Sequence, residues 1–268
     1  MESCGKVSPD PATEESFETI APNSQFWIGR EVPTNWLEDT LALGILEPGI
    51  RVLDVGAGSG KYSRALEGAG CQTYSVDISL KCVEACQRIG LKRTIQASAL
   101  TLPLTSDSMD VVLMRYLLHL VPESRRLACL LEAKRVLRPS GILIIETTDL
   151  QHARVNHDVV LSHALESVID RHYIGRAELE GLLGRVGMSF SYRPCKELRG
   201  SYDSVWHALQ RSQSLVEEGI GPSPWLQLSI PERVEFHDRR VEYLNSIYGE
   251  RTVPRIWNGF RLIAGISQ

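Results

Sequence analysis

From residue 51 onward, short apolar runs alternate with stretches of helical periodicity, the signature of a parallel sheet assembled from strand-helix-strand units. The runs are Val52–Val55, Tyr74–Asp77, Thr94–Ala97, Val111–Met114 and Ile142–Glu146. Before the last of these, Leu127, Leu130, Leu131 and Lys134 recur at helical spacing. That spacing predicts a helix over Pro122–Leu137, with Pro122 in the first turn and the stem of Lys134 lying along apolar surface. Pro139-Ser140-Gly141 stops that helix and feeds the next strand. A second amphipathic helix carries Leu179, Leu182, Leu183 and Val186 and ends at Gly187. Met188, Phe190 and Tyr192 then alternate as a sixth strand, and Phe260, Leu262, Ala264 and Ile266 as a seventh.

The pattern is looser in two places. Residues 151–172 hold His152, His157, His163 and His172 and are expected to form a helical connection over the open end of the sheet. Residues 196–256 separate the last two strands by far more than the usual ~2–6 residue connection, so they must form a subdomain. Within it, Ser229 and Glu232 form a capping-box pair around Pro231, and Val234, His237, Val241, Leu244 and Tyr248 mark one face of the helix that follows. Gly219–Pro224 reads as a loop or hinge.

Composition narrows the class. With 268 residues, 43% of them hydrophobic and 23% charged, the chain is long enough to build a core and unlike disordered, collagenous or disulfide-scaffold sequences. The net charge of -4 argues against a broad phosphate-gripping surface, and residues 196–256 alone hold eight Lys/Arg against nine Asp/Glu, so no nucleic-acid partner is expected. Glu2, Asp10, Glu14, Glu15 and Glu18 fit no presequence, and Val111–Val121 is interrupted by Arg115 and His119 and too short to span a bilayer. A cytoplasmic protein with no membrane partner is expected. Its six cysteines, Cys4, Cys71, Cys82, Cys86, Cys129 and Cys195, would remain thiols there, and their spacing offers no metal site.

The candidate chemistry lies in Val52-Leu53-Asp54-Val55-Gly56-Ala57-Gly58-Ser59-Gly60, a glycine-rich turn between the first strand and a helix. Glycines let a ligand approach the backbone closely, and a helix start offers unpaired N–H groups. Asp77 ends the second strand, where a carboxylate can take two ribose hydroxyls. A dinucleotide fingerprint has Gly-x-Gly-x-x-Gly spacing with a pyrophosphate at the helix start. Here the spacing is Gly-x-Gly-x-Gly, and Asp54 just before the turn would repel a pyrophosphate and suit a ligand with an amino group and no phosphate.

In these blocks and those that follow them, the sequence resembles the class I S-adenosylmethionine-dependent methyltransferases, particularly the small-molecule enzymes of the ubiquinone and sterol methyltransferase group. The resemblance rests on Val52–Gly60, on Val76-Asp77-Ile78-Ser79, on Leu102-Pro103-Leu104 followed by Ser108–Val112, and on Glu132–Gly141. It covers roughly residues 50–150. It implies an α/β fold, a seven-stranded Rossmann-like doubly wound sheet whose last strand is antiparallel, with S-adenosylmethionine over the carboxyl ends of the early strands. Carried over residue by residue, it makes Gly56, Ala57 and Gly58 a backbone wall for the methionine and ribose moieties, with Asp54 in the same motif. Asp77 would bind the ribose and Ile78 would pack on adenine. Ser98, followed by Ala99, stands where the family often has an Asp beside the adenine amino group. Arg115 ends the fourth strand, where the family's main chain meets the methionine end.

Methyl transfer asks little of side chains, because the sulfonium is already activated and the protein need only align the reactants and exclude water. His119 is the candidate general base, with a packed structural histidine as the competing reading. Trp206, Trp225 and Trp257 either line an acceptor pocket or form the core of the insertion. The expected organisation is an N-terminal helical lid segment (1–46), a cofactor-binding core (47–195), an acceptor-binding cap (196–256) and the last core strand (257–268). The expected function is methyl transfer to oxygen or nitrogen of a small-molecule acceptor. A non-catalytic S-adenosylmethionine-binding protein and a nicotinamide oxidoreductase are the alternatives. Oligomeric state is left open.

Overall fold

A computed structural model of the chain describes residues 32–33, 35–148, 150, 152–153, 161–217, 225 and 227–266. The chain order is α1 (Trp36–Leu41), β1 (Arg51–Val55), α2 (Lys61–Gly68), β2 (Gln72–Asp77), α3 (Leu80–Arg88), β3 (Thr94–Gln96), β4 (Met109–Arg115), α4 (Glu123–Val136) and β5 (Leu137–Thr147). It continues with α5 (His163–His172), α6 (Arg176–Val186), β6 (Met188–Tyr202), α7 (Val205–Glu217), α8 (Ile230–Tyr248) and β7 (Val253–Ile266). The seven strands form one sheet of order β3-β2-β1-β4-β5-β7-β6. Strands β1 to β5 are parallel, and β7 runs antiparallel between β5 and β6.

Burial explains why the central strands read as unbroken apolar runs. Every residue of β4 is buried, as expected of a parallel strand covered on both faces. Alternation then sorts its side chains. Val111 and Leu113 pack with Trp36, Leu46 and Leu66 on one face, while Val112 and Met114 pack with Leu130, Ala133, Leu179 and Leu183 on the other.

The helix ends follow local chemistry. Gly187 closes α6 in the left-handed region, and Lys134 Nζ reaches the last carbonyl of that helix, donating to Val186 O at 2.6 Å. Pro122 sits at the N-cap of α4 rather than inside its first turn, and the chain is already extended at Leu137, before Pro139. Ser229 donates both its N–H and its hydroxyl to Glu232 Oε2 at 2.7 Å, so the capping pair at the start of α8 forms.

Strands β6 and β7 are longer than their apolar alternation predicts. Pairing of β5 with β7 ends at Thr147 opposite Phe260, but β6 and β7 continue together to Tyr202 opposite Val253. The pair therefore runs on past the carboxyl edge of the sheet as a two-stranded ribbon of roughly 20 Å. The expected domain limits at 195/196 and 256/257 fall inside these strands. Polar residues such as Lys196, Glu197 and Asn258 interrupt the apolar alternation and hide the continuation of these strands from pattern reading.

Helices α7 and α8 pack on this ribbon through Val205, Ala208, Leu244 and Val253. A separate core joins α5 to the insertion through Leu165, Ile169, Tyr173, Trp225 and Phe236. On α8 the fully buried positions are Phe236, Arg240 and Leu244, whereas Val234 is exposed. Arg240 can occupy that face because its guanidinium donates to Ala208 O at 2.8 Å and lies over Trp225. Residues 1–31 of the expected N-terminal lid segment, together with His157 and the Gly219–Pro224 hinge, lie outside the described residues.

Candidate functional site

The carboxyl ends of β1, β2, β4 and β5 converge on one edge, and the glycine turn after β1 is the centre of that edge. Gly56, Gly58 and Gly60 all adopt positive φ, at 74°, 57° and 74°. Their surroundings differ. A Cβ on Gly60 would lie 2.6 Å from Leu91 Cδ1 and 2.7 Å from Cys86 Sγ, and one on Gly56 would lie 2.9 Å from Leu117 Cδ1. At Gly58 a Cβ would meet nothing within 4 Å. The turn is thus packed at both ends and open in the middle, with room above Gly58 for a ligand to approach the backbone.

Asp77 ends β2 beside that opening. Its Oδ2 accepts the Gly58 N–H at 2.8 Å and its Oδ1 accepts the Ser79 N–H at 3.0 Å. Two backbone donors therefore fix the plane of the carboxylate next to the open face of the turn. Cys86 braces the same turn from α3, its thiol lying 3.3 Å from Gly58 O. Burial, with Asp54 and Asp77 nearby, pushes that thiol up to about 12, so it acts as packing and a weak donor.

Asp54 lies within the sheet, 2% exposed, and accepts from Ser63 Oγ at 2.6 Å, while Ser75 Oγ donates to Ser63 Oγ at 2.8 Å. Burial raises its carboxyl to about 6, against the opposing effects of the Ser63 hydrogen bond and Arg115. Ala57 is buried against Cys86 and Leu91. Ile78 is half-buried, and its carbonyl accepts from Gln96 Nε2 at 3.1 Å. Ser98 spends its hydroxyl locally, accepting the Leu100 N–H at 3.2 Å, and Ala99 packs on the core.

Arg115 carries a side-chain arrangement that its place in the sequence did not indicate. Its main chain ends β4 as expected, but its side chain is buried and ion-paired with Glu146 at the end of β5. The Arg115 guanidinium stands 3.4 Å from the Tyr62 ring centroid and 4.9 Å from that of Trp36. Glu146 also accepts from Arg261 Nε at 2.6 Å and from Trp36 Nε1 at 2.8 Å, and Arg261 reaches on to Thr40 Oγ1 at 2.7 Å. Burial alone would raise the Glu146 carboxyl; Arg115 and Arg261 overcome it and hold the group below the usual carboxylate range. This cluster ties α1 to the carboxyl edge of β4, β5 and β7. Trp36, Tyr62, Glu146 and Arg261 are absent from the sequence-derived site, and the available signal was the charge, Arg115 or Glu146, that closes the apolar runs of β4 and β5.

His119 lies on a short 3-10 turn, Leu118–Leu120, with its ring stacked on Tyr173 at 5.0 Å. Arg126 pins that turn from α4, donating to Leu118 O at 3.2 Å and Val121 O at 3.1 Å while pairing with Glu178 at 2.7 Å. Of the aromatic candidates in the insertion, Trp225 is 1% exposed and packed against Phe236, so it belongs to the core, while Trp206 is 61% exposed. The side chain of Trp257 lies outside the described residues.

Residues 53–145, the part of the chain that builds this edge, match the methyltransferase domain family. That match spans about a third of the chain and makes residues 53–145 a methyltransferase domain. Among curated relatives, this chain is 32% identical over 128 residues to the demethylmenaquinone methyltransferase of Clavibacter sepedonicus, covering 45% of this chain and 51% of that protein. A ubiquinone biosynthesis O-methyltransferase of Xanthomonas campestris is 29% identical over 115 residues, 41% of this chain and 47% of that protein. An uncharacterized methyltransferase of Mycobacterium ulcerans is 27% identical over 203 residues, 70% of this chain and 72% of that protein. With that last exception, the matches span about half of the relatives' length. In fold, the chain resembles the YcgJ protein of Bacillus subtilis, with TM-score 0.54 and 18% identity over 87% of this chain and 97% of the other. It also resembles a phosphoethanolamine N-methyltransferase of Haemonchus contortus, with TM-score 0.55 and 16% identity over 91% of this chain and 56% of the other.

The residues present fit the S-adenosylmethionine of this class. The open face at Gly58 admits a ligand to the backbone, and Asp77 offers beside it a carboxylate oriented by two N–H groups, the acceptor a ribose diol requires. No helix among the described residues is long and apolar enough to cross a membrane.

Proposed function

We propose that the protein transfers the methyl group of S-adenosylmethionine to oxygen or nitrogen of a small-molecule acceptor in the cytoplasm. The observation that carries this reading is the contrast within the glycine turn, closed by Leu117 and by Cys86 and Leu91 at its ends and open at Gly58 next to the oriented Asp77 carboxylate. Bound S-adenosylmethionine supplies an already activated methyl sulfonium. Asp77 holds the ribose, Gly56–Gly58 line the methionine side, and Ile78, Ser98 and Ala99 flank the adenine. His119, on the 3-10 turn pinned by Arg126, is the base in this reading, since an imidazole can take a proton from an acidic O–H or N–H acceptor.

The insertion serves as the acceptor-binding cap in this reading. Its support is topological: β6 and β7 carry α7 and α8 beyond the carboxyl edge, the side on which open α/β sheets bind ligands. The demethylmenaquinone and ubiquinone relatives favour a ring-bearing acceptor over a nucleic acid, in agreement with the mild acidic charge. Incubation with methyl-labelled S-adenosylmethionine and a low-molecular-weight cell extract tests the proposal. Label is expected in a small molecule, with stoichiometric S-adenosylhomocysteine. Cofactor binding by calorimetry with no S-adenosylhomocysteine formed from any extract would reduce the protein to a binder.

A further inference from the structure

Tyr116 follows Arg115 directly and adopts φ 50°, the left-handed region. Among the described residues one other non-glycine, Asp107, does so, and it lies in a surface turn of the kind where Asp is tolerated. A bulky aromatic is not, and such conformations persist where the surroundings impose them and the side chain is needed. The imposition is visible. The Tyr116 N–H donates to Glu146 O at 2.8 Å, so the backbone is fastened to β5 at the point where β4 leaves the sheet.

The neighbours of Tyr116 are committed elsewhere. Arg115 turns into the buried cluster with Glu146, and Leu117 closes the glycine turn at Gly56. The left-handed turn places a half-buried tyrosine where β4 ends at the carboxyl edge, one residue before Leu117, which touches the glycine turn, and three before His119.

We propose that Tyr116 contacts the acceptor and orients its nucleophilic atom toward the transferring methyl. This inference rests on the methyltransferase reading above. The phenol oxygen accepts a hydrogen bond from the acceptor O–H or N–H, and the ring stacks on an acceptor ring. In the transfer, the acceptor oxygen or nitrogen forms a bond to the methyl carbon as the carbon–sulfur bond breaks. The electron pair stays on sulfur, and the acceptor's proton passes to water or to His119.

The strain makes the test discriminating, since glycine relaxes the backbone while removing the side chain. In the full chain, Tyr116→Gly is expected to keep or raise the melting temperature and to hold S-adenosylmethionine affinity within about two-fold, while acceptor kcat/KM falls at least ten-fold, with KM carrying part of the change. Tyr116→Phe, which keeps the ring, is expected to fall between the two. The methyl acceptors used are 1,4-naphthohydroquinone and caffeate. A clear drop in melting temperature for Tyr116→Gly would make the residue structural and overturn the proposal, as would parent rates in both variants. Should the parent methylate neither probe, the low-molecular-weight cell extract serves as the acceptor source, and the same comparison of transfer rates between parent and variants decides. Failure of the parent itself to bind S-adenosylmethionine would instead remove the reading on which the inference stands.

Discussion

The two halves of the carboxyl edge are held by different kinds of interaction. Around β1 and β2 the organising groups are main-chain: three glycines at positive φ, and a carboxylate, Asp77, fixed by the N–H groups of Gly58 and Ser79. Around β4, β5 and β7 they are side chains, with Glu146 buried between Arg115 and Arg261 and capped by Trp36. The first arrangement is local in sequence and leaves an opening. The second joins residues more than a hundred positions apart and fills its space, as the contacts of Trp36 and Arg261 with Glu146 show. A ligand-binding edge therefore stands beside a rigid wall, the combination that positions reactants without a large catalytic apparatus.

The largest expected effect lies in the wall. Glu146→Gln leaves two buried guanidinium groups without a carboxylate, and breaking a buried ion pair from one side costs roughly 3–5 kcal/mol. Denaturant unfolding is expected to show that loss. A change under about 1 kcal/mol would mean that the aromatic rings of Tyr62 and Trp36 alone satisfy Arg115.

Within the turn, the comparison sharpens between two glycines with the same φ class. Gly60→Ala meets both backbone strain and the Cys86 and Leu91 side chains, so its cost falls on stability. Gly58→Val meets only the strain, on the order of 1–2 kcal/mol, and its main effect is loss of S-adenosylmethionine binding with a native far-UV spectrum. Equal melting losses in the two variants would erase the distinction between packed and open ends.

Asp77→Asn comes next. It removes the charge from the ribose contact and leaves one of the two backbone N–H groups facing an amide NH2, so S-adenosylmethionine affinity is expected to fall about ten-fold by calorimetry, with a stability loss of about 1–3 kcal/mol. Unchanged affinity would reassign Asp77 to bracing the turn.

The smallest effect concerns pH. Burial holds the Asp54 carboxyl at about 6, above its unfolded value, so the folded state takes up a proton as pH falls. Ionised Asp54 therefore weighs against the fold above pH 6, and its contribution becomes more favourable between pH 6 and 4. Subtracting the stability–pH curve of Asp54→Asn from that of the parent isolates this slope, and a difference curve flat over that interval would place the titration elsewhere.

Much of the core was legible in the chain alone. Five parallel strands, the helices around Leu130 and Leu183, the glycine turn and Asp77 all follow from period and spacing, because each is set by contacts within a few residues or by a face that must be buried. The capping pair Ser229–Glu232 is of the same local kind. The insertion was legible only as a length. Its helix α8 buries Phe236 and Arg240 and leaves Val234 exposed, since the buried face depends on what α7 and Trp225 present to it.

The cluster around Glu146 and the strained turn at Tyr116 were decided by tertiary structure. A charge at a strand end carries no mark of its partner, and Arg261 meets Glu146 only because β7 enters the sheet antiparallel in a register that sets the two residues opposite one another. Sequence patterns of this kind report how each segment divides between core and solvent; pairing between distant charges, and the backbone distortion that such pairing fastens in place, depend on strand order and register, which no single segment encodes.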